Sequence, residues 1–290
     1  MPGRALIITR RIARNSDQIS GLFHVPHDSP WFIGHFPSQP ILPAIALIEL
    51  VARILNEGEG REGRSLSIRQ LKRVRFRQIV HPGEDIYVVL IPEKKTGKGQ
   101  YRFKISNPDK PDIIVADGIV LTTDPEIAPV SGFPLLGKGG KKLAHDIEKY
   151  LPHRDRVKLV DDIMAHSRTD EKGVTARVKE TWPLFQADEG VNPIVIIELV
   201  AQATAVMMGL EEEDSDEGDK GNMNLGYIVG VKKANWADQY IQVGTELIIK
   251  TKKERWKDNY GIFQGFVYDA RQCYGEVHVQ VFRPGQHMKL

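Results

Sequence analysis

The sequence predicts an α+β protein made of two copies of one unit, each a long apolar helix beside an antiparallel sheet. Two observations predict this. The first is a repeated helix: "ILPAIALIELVARIL" at Ile41–Leu55 is echoed by "VNPIVIIELVAQATAVMM" at Val191–Met208. Both contain Ile-Glu-Leu-Val-Ala, with Glu49 answered by Glu198. The second is a set of strands downstream of each helix. Strand-like runs such as "EDIYVVLIPE", "QYRFKISN" and "DIIVADGIVLTT" recur as "TELIIKTKKERW", "YGIFQGFVYDA" and "YGEVHVQVFRP", with no helix between them. Consecutive strands without crossover helices pair antiparallel. A helix apolar nearly all round must be covered on most sides, and a curved sheet wrapped around it does that.

The order of elements repeats as well. "LKRVRFRQIVHPGEDIYVVLI" (Leu71–Ile91) has its counterpart in "VKKANWADQYIQVGTELIIKT" (Val231–Thr251). Glu198 lies farther from Trp236 than Glu49 does from Phe76, and the excess matches the acidic stretch "EEEDSDEGDKG" at Glu211–Gly221, which reads as a solvated loop. Between the copies, the Pro- and Gly-rich "TDPEIAPVSGFPLLGKGGKK" (Thr123–Lys142) is linker chemistry. The expected organisation is a first domain over 1–124, a linker over 125–142 and a second domain over 143–290.

Composition narrows the class. The 290 residues are 41% hydrophobic and 27% charged, as in a soluble globular protein. A net charge of +2 argues against an extended nucleic-acid surface. The single cysteine, Cys273, rules out an intrachain disulfide framework and fits a reducing compartment. Arginines at positions 4, 10, 11 and 14 interrupt any signal-peptide core, and no apolar run reaches the length of a membrane span, so a cytoplasmic protein is expected. "HVPH" (His24, His27) has no second ligand cluster with it, and no metal is expected.

Glu49 and Glu198 are the unusual residues. An ionised carboxylate inside an apolar helix needs a partner, a wet cavity or a raised pKa. A protonated carboxyl beside a histidine makes a general acid next to a general base, and the turn "GHFPSQP" ahead of the first helix carries His35. The plainer alternatives stay open at this level: a carboxylate that snorkels or caps backbone, and a turn histidine bonded to the main chain.

"GHFPSQPILPAIALIEL" resembles the active-site segment of the 3-hydroxyacyl-acyl carrier protein dehydratases, whose pattern is close to G-H-F-P-G-x-P-x-x-P-G-V-x-x-x-E. "YLPHRDRVKLVDDI" (Tyr150–Ile163) is similar to the L-P-H-R start of the same enzymes, and "IIELVAQA" (Ile196–Ala203) to their helix signature. The resemblance implies the hotdog fold, here as a covalent double hotdog. It implies one active site between the halves, with the histidine from one and the acid from the other. His35 and Glu198 then form the pair, and the backbone amide of Ala44 polarises the thioester carbonyl in place of the family glycine. The second copy has no histidine in "LFQADEGVNPIVIIE", and Pro193 has no N–H to give. Glu49 is expected to face that loop near Asp188 as a degenerate second site. Gln202 matches the family's helix glutamine, with Arg53 in its place in the first copy, and is expected to support the active pair. His153 is read as structural.

The implied activity is dehydration of 3-hydroxyacyl thioesters to trans-2-enoyl thioesters, without a cofactor of the enzyme's own and with the substrate on the phosphopantetheine of acyl carrier protein or coenzyme A. An acyl thioesterase and a non-catalytic acyl-chain or acyl-carrier binding protein are the alternatives. Lys72, Arg73, Arg75 and Arg77 around Phe76 are a candidate landing site for an acidic carrier protein, against the default of a solvated strand face. Further association of double hotdogs into a homo-oligomer is possible.

Overall fold

A computed structural model describes residues 7–59, 67–93, 99–122, 140–166, 171–213, 226–237 and 239–284. The first copy runs β1 (Ile8–Arg14), β2 (Ile19–His24), α1 (Ala44–Glu59), β3 (Gln70–Phe76), β4 (Asp85–Pro92), β5 (Gln100–Asn107) and β6 (Lys110–Leu121). The second runs β7 (Gly140–Lys142), β8 (Asp162–His166), β9 (Lys172–Arg177), β10 (Phe185–Gln186), β11 (Gly190–Val191), α2 (Ile196–Glu213), β12 (Tyr227–Trp236), β13 (Glu246–Lys257), β14 (Tyr260–Tyr268) and β15 (Cys273–Phe282).

Thirteen strands form one antiparallel sheet in the order β1-β2-β4-β5-β6-β3-β12-β15-β14-β13-β9-β8-β7. Reading outward from the β3/β12 seam, the halves match: β6 answers β15, β5 answers β14, β4 answers β13, and β2 answers β9. At the seam Lys233 pairs with Lys72 and Val231 with Val74. Both seam strands carry a bulge, β3 between Lys72 and Arg75 and β12 between Val231 and Lys233. The strand order thus reproduces the duplication read from the sequence.

Each half of the sheet wraps its own helix. α1 packs on β1, β2 and β4, and α2 on β9, β13, β14 and β15. Ile45, Ile48, Leu50, Val51, Ile54 and Leu55 of α1 are essentially inaccessible, as are Ile196, Ile197, Leu199, Val200, Ala203 and Val206 of α2. Fully burying a side chain of the Val, Leu or Ile class contributes about 1.5–3 kcal/mol, so these faces fix the helices firmly in the sheet.

Three expectations change. The segment Pro193–Glu213 is long and apolar enough to cross a membrane, contrary to the sequence reading, but 72% of its most apolar window is buried inside the protein as the core of the second unit. Glu198 and Gln202, which break the apolar run by eye, are too few to lower its mean hydropathy. Glu211–Glu213 are not loop but the last turn of α2, where Glu212 pairs with Arg283 and Glu213 with Lys149. These partners hold the acidic turn in helix, while 214–221 of the acidic stretch lie outside the described residues. Most of the expected linker also lies outside them, and its last three residues form β7 against β8.

Candidate active site

The loop carrying His35 is closed on itself and docked on the other copy. Ile41 N donates to His35 O at 3.0 Å, and His35 Nδ1 in turn bonds Ile41 O at 3.0 Å. Phe36 and Gln39 exchange backbone bonds in the same way, and the His35–Phe36 peptide is cis. Gly34 sits at φ +87, and its carbonyl accepts Arg154 N at 3.1 Å. A Cβ at Gly34 would lie 1.9 Å from Arg154 O, so only glycine lets the two loops approach this closely. The family-like glycine and the L-P-H-R segment thus meet backbone to backbone, one from each copy.

That contact brings His153 to the site. A ring nitrogen of His35, a ring nitrogen of His153 and a carboxylate oxygen of Glu198 lie within 4.8 Å of one another. His153 Nε2 is 3.2 Å from Glu198 Oε1, and the two histidine rings meet edge-on at 5.2 Å. Gln202, one helical turn beyond Glu198, is fully buried and fully bonded. Its Nε2 donates to Glu198 Oε1 at 2.8 Å and to Val157 O at 2.7 Å, and its Oε1 accepts Leu159 N at 2.9 Å. It therefore fixes the carboxylate and clamps the loop of His153 to α2. His153, read as structural from the sequence, thus belongs to the site. Its place beside Glu198 depends on a loop some 45 positions upstream folding back on the helix, which no periodicity announces. The L-P-H-R resemblance is the one signal that points to it.

The electrostatics set the resting protonation. The Ile41 carbonyl can only accept, so the His35 hydrogen is on Nδ1 and Nε2 presents a lone pair. Burial, then the neighbouring His153, pushes the His35 imidazole down to about 4, against the pull of Glu198. His35 is a neutral base at neutral pH. Burial pushes the Glu198 carboxyl up, but the hydrogen bond and charge of His153, with His35 and Gln202 behind them, outweigh it and hold the pKa low. Of the three ways open to a buried carboxylate, Glu198 has taken the partner.

Glu49 has taken another. Arg53, where the second copy has Gln202, forks onto both Glu49 oxygens at 2.9 and 3.1 Å and also donates to Ile7 O at 2.9 Å. Burial raises the Glu49 pKa, and the Arg53 charge and hydrogen bonds only partly reverse this. Asp188, expected near it, is exposed at φ 68 in the turn between β10 and β11. Neither Glu49 nor Asp188 lines the cavity that reaches Glu198.

That cavity, of about 840 Å³, runs between the helices. His35, His153 and Glu198 line it together with Ala44 and Leu47 of α1 and with Ala201, Ala205 and Met208 of α2. From Glu198 to Glu212 it tracks α2 for about 20 Å by helical rise. Ala44 is the first residue of α1, and its N–H has no partner among the described residues. The first N–H groups of a helix are unbonded within it and carry the positive end of its dipole, which suits a developing oxyanion. Two histidines and a carboxylate are also donor types that ligate transition metals. Arg77 lines the cavity and bonds Asp117 at 2.6 Å; Arg73 and Arg75 are exposed on β3, and Lys72 is half-buried there.

Comparison with known proteins gives the fold and the family. A family model described as ApeP-like, ApeP dehydratase, matches residues 145–290, and one described as ApeI-like, ApeI dehydratase, matches residues 11–117. The 3-hydroxyacyl-[acyl-carrier-protein] dehydratase FabZ of Syntrophobacter fumaroxidans is 31% identical over 97 residues, 32% of this chain and 66% of that protein. FabZ of Rickettsia africae is 33% identical over 78 residues, 24% and 52% of the two chains. The chain spans about half to two thirds of the length of such curated relatives. The dehydratase domain of RzxB from Pseudomonas fluorescens superposes with a TM-score of 0.68 at 12% identity, covering 95% of this chain and 98% of that one. The dehydratase domain of PpsC from Mycobacterium tuberculosis, solved with C12:1-CoA, does so with 0.67 at 12% identity, covering 94% and 97%. The fold is the double hotdog, and the chain belongs to the hotdog dehydratase family, as the ApeP-like match over its second half shows.

Proposed function

We propose that this chain dehydrates 3-hydroxyacyl thioesters to trans-2-enoyl thioesters at one active site shared by its two halves. The observation that carries the reading is a histidine presenting an Nε2 lone pair and a buried carboxylate, one from each copy, lining one cavity long enough for an extended acyl thioester. The thioester lies between α1 and α2. His35 Nε2 takes a proton from C2, and the Ala44 N–H stabilises the enolate-like oxygen. Glu198 takes up a proton from solvent as the substrate binds and gives it to the C3 hydroxyl, which leaves as water; His35 then releases the C2 proton to solvent. Gln202 holds Glu198 for this task.

The same geometry supports the rest of the reading. The chemistry uses side-chain and backbone groups alone, so neither metal nor organic cofactor is required, and the phosphopantetheine belongs to the substrate. Carrier protein or coenzyme A brings it in, and the basic group Lys72, Arg73, Arg75 and Arg77 near the cavity favours an acidic carrier. The division into domains 1–124 and 143–290 around a linker is supported by the matched strand order on either side of the β3/β12 seam. The test is an assay of 3-hydroxyacyl and 2-enoyl thioesters in both directions. Interconversion with water is expected; release of free thiol would mark a thioesterase instead, and binding without turnover a carrier module.

A further inference from the structure

His153 lines the cavity beside His35 and Glu198 but has no part in the proton transfers assigned to them. One ring nitrogen of each histidine and a carboxylate oxygen of Glu198 lie within 4.8 Å of one another, and among the described residues no other three such donors come so close. A zinc-class ion holds nitrogen and oxygen ligands at about 2.0–2.2 Å, so neighbouring corners of its tetrahedron are about 3.3 Å apart. The 3.2 Å between His153 Nε2 and Glu198 Oε1 already has that length. Closing the His35 corner to match takes a shift of at most about 1.5 Å. The groups behind the three are those that keep a metal site in shape. A ligating histidine commonly donates its second N–H to a carbonyl, and His35 Nδ1 does so to Ile41 O at 3.0 Å, which leaves Nε2 as the lone-pair donor. A ligating carboxylate is itself hydrogen-bonded, and Gln202 Nε2 holds Glu198 Oε1 at 2.8 Å. The first copy has no such set: Arg53 forks both oxygens of Glu49.

We propose that this trio is an inhibitory site for a divalent transition ion such as Zn²⁺, with His35 Nε2, His153 Nε2 and Glu198 as ligands and a fourth position open to the cavity. The inhibition rests on the dehydration reading; the metal site itself does not. In the free protein the one ring hydrogen of His153 points from Nε2 to Glu198, because a carboxylate only accepts. The ion takes the place of that hydrogen, which passes to Nδ1. Nδ1 bonds nothing among the described residues in either tautomer, so the hydrogen bond given up is the one to Glu198, and metal coordination replaces it. Bound there, the ion occupies the lone pair that would remove the C2 proton and the carboxylate that would protonate the 3-hydroxyl. It also fills the space between them, so ion and thioester compete. Two imidazoles and one carboxylate favour Zn²⁺ or Co²⁺ over Mg²⁺ or Ca²⁺, which take oxygen ligands. The ion comes and goes as an inhibitor and is not a cofactor of the reaction.

The test uses the full chain, stripped with a chelator and then given Co²⁺ or Zn²⁺ alone. Visible absorption of tetrahedral Co²⁺ and calorimetry of Zn²⁺ should both report a strong site with one ion per chain, and excess Mg²⁺ should not displace it. His153→Ala and Glu198→Gln should each weaken Zn²⁺ binding by at least about 10-fold, while Glu49→Gln leaves it unchanged. In the dehydration assay Zn²⁺ should raise the apparent KM for a 3-hydroxyacyl thioester, and chelator should restore it. Absence of the cobalt band, or Zn²⁺ affinity unaltered in folded His153→Ala and Glu198→Gln, would overturn the site. Activity unchanged or stimulated by saturating Zn²⁺ would overturn the inhibition. If the variants do not fold, NMR of the wild type labelled with ¹⁵N at histidine decides: Zn²⁺ should shift the His35 and His153 ring nitrogens together, and unshifted rings would refute ligation. A wild-type protein inactive in both directions would sink the dehydratase reading, and the cobalt and NMR arms would still judge the metal site separately.

Discussion

Glu49 and Glu198 occupy the same position of the same duplicated helix and have opposite fates. The difference comes from one neighbour and one loop. At i+4 from Glu198 stands Gln202, a neutral amide that bonds the carboxylate and the loop of His153 together. At i+4 from Glu49 stands Arg53, whose charge is taken up by both Glu49 oxygens and by Ile7 O. A carboxylate forked by guanidinium is neutralised and has no reason to meet a substrate. One held by an amide beside a histidine keeps its charge and lines the cavity. The repeated helix carries two carboxylates, and the i+4 residue decides which of them is forked by an arginine and which lines the cavity beside a histidine.

The largest expected effect is loss of the base. His35→Ala should lower kcat by about 10³-fold or more, since general-base removal leaves only binding and the oxyanion donor. In the wild type, protonation of His35 abolishes its base, and its pKa is lowered to about 4. The acid limb of kcat/KM should therefore lie near pH 4 rather than near 6.5, with rate rising as pH rises through it. A limb near the ordinary histidine value would mean that His35 is not the base.

Next in size are changes that convert one helix into the other. Gln202→Arg places the first copy's arrangement beside Glu198 and should cost about 10–100-fold in kcat through the lost His153 contact. The reverse change, Arg53→Gln, should leave kcat within about twofold. It should instead lower stability by about 1–3 kcal/mol in urea unfolding, because Glu49 and Ile7 O lose their donors. Removing tightly bound metal with a chelator should not reduce activity; a loss restored by zinc would assign His35, His153 and Glu198 to metal ligation instead.

Much of this comparison is legible in the sequence because duplication leaves aligned residues. The repeated Ile-Glu-Leu-Val-Ala, the missing histidine of the second loop and Arg53 opposite Gln202 can all be read by lining up the copies. The illegible part depends on contacts made only in the folded chain. His153 reaches Glu198 because Gly34 lets two loops from different copies touch, and that contact has no signature in either segment alone. Nor can the pKa of Glu198 be read from burial, since burial and partners act in opposite directions. Burial raises Glu49 and also pushes Glu198 up, but only Glu198 has enough partners to come out low.

The smallest effect concerns the basic strand. Lys72→Glu with Arg75→Glu should raise KM for a carrier-bound substrate by about 3–10-fold at low salt and leave a small thioester analogue unchanged. Equal shifts for both substrates would remove the carrier-docking role.

The most direct measurement compares Glu198→Gln with Glu49→Gln in the dehydration assay. One shared site predicts that Glu198→Gln lowers kcat by about 10²-fold or more while Glu49→Gln keeps it within about twofold. Full activity in Glu198→Gln, or its loss in a folded Glu49→Gln, would contradict the account.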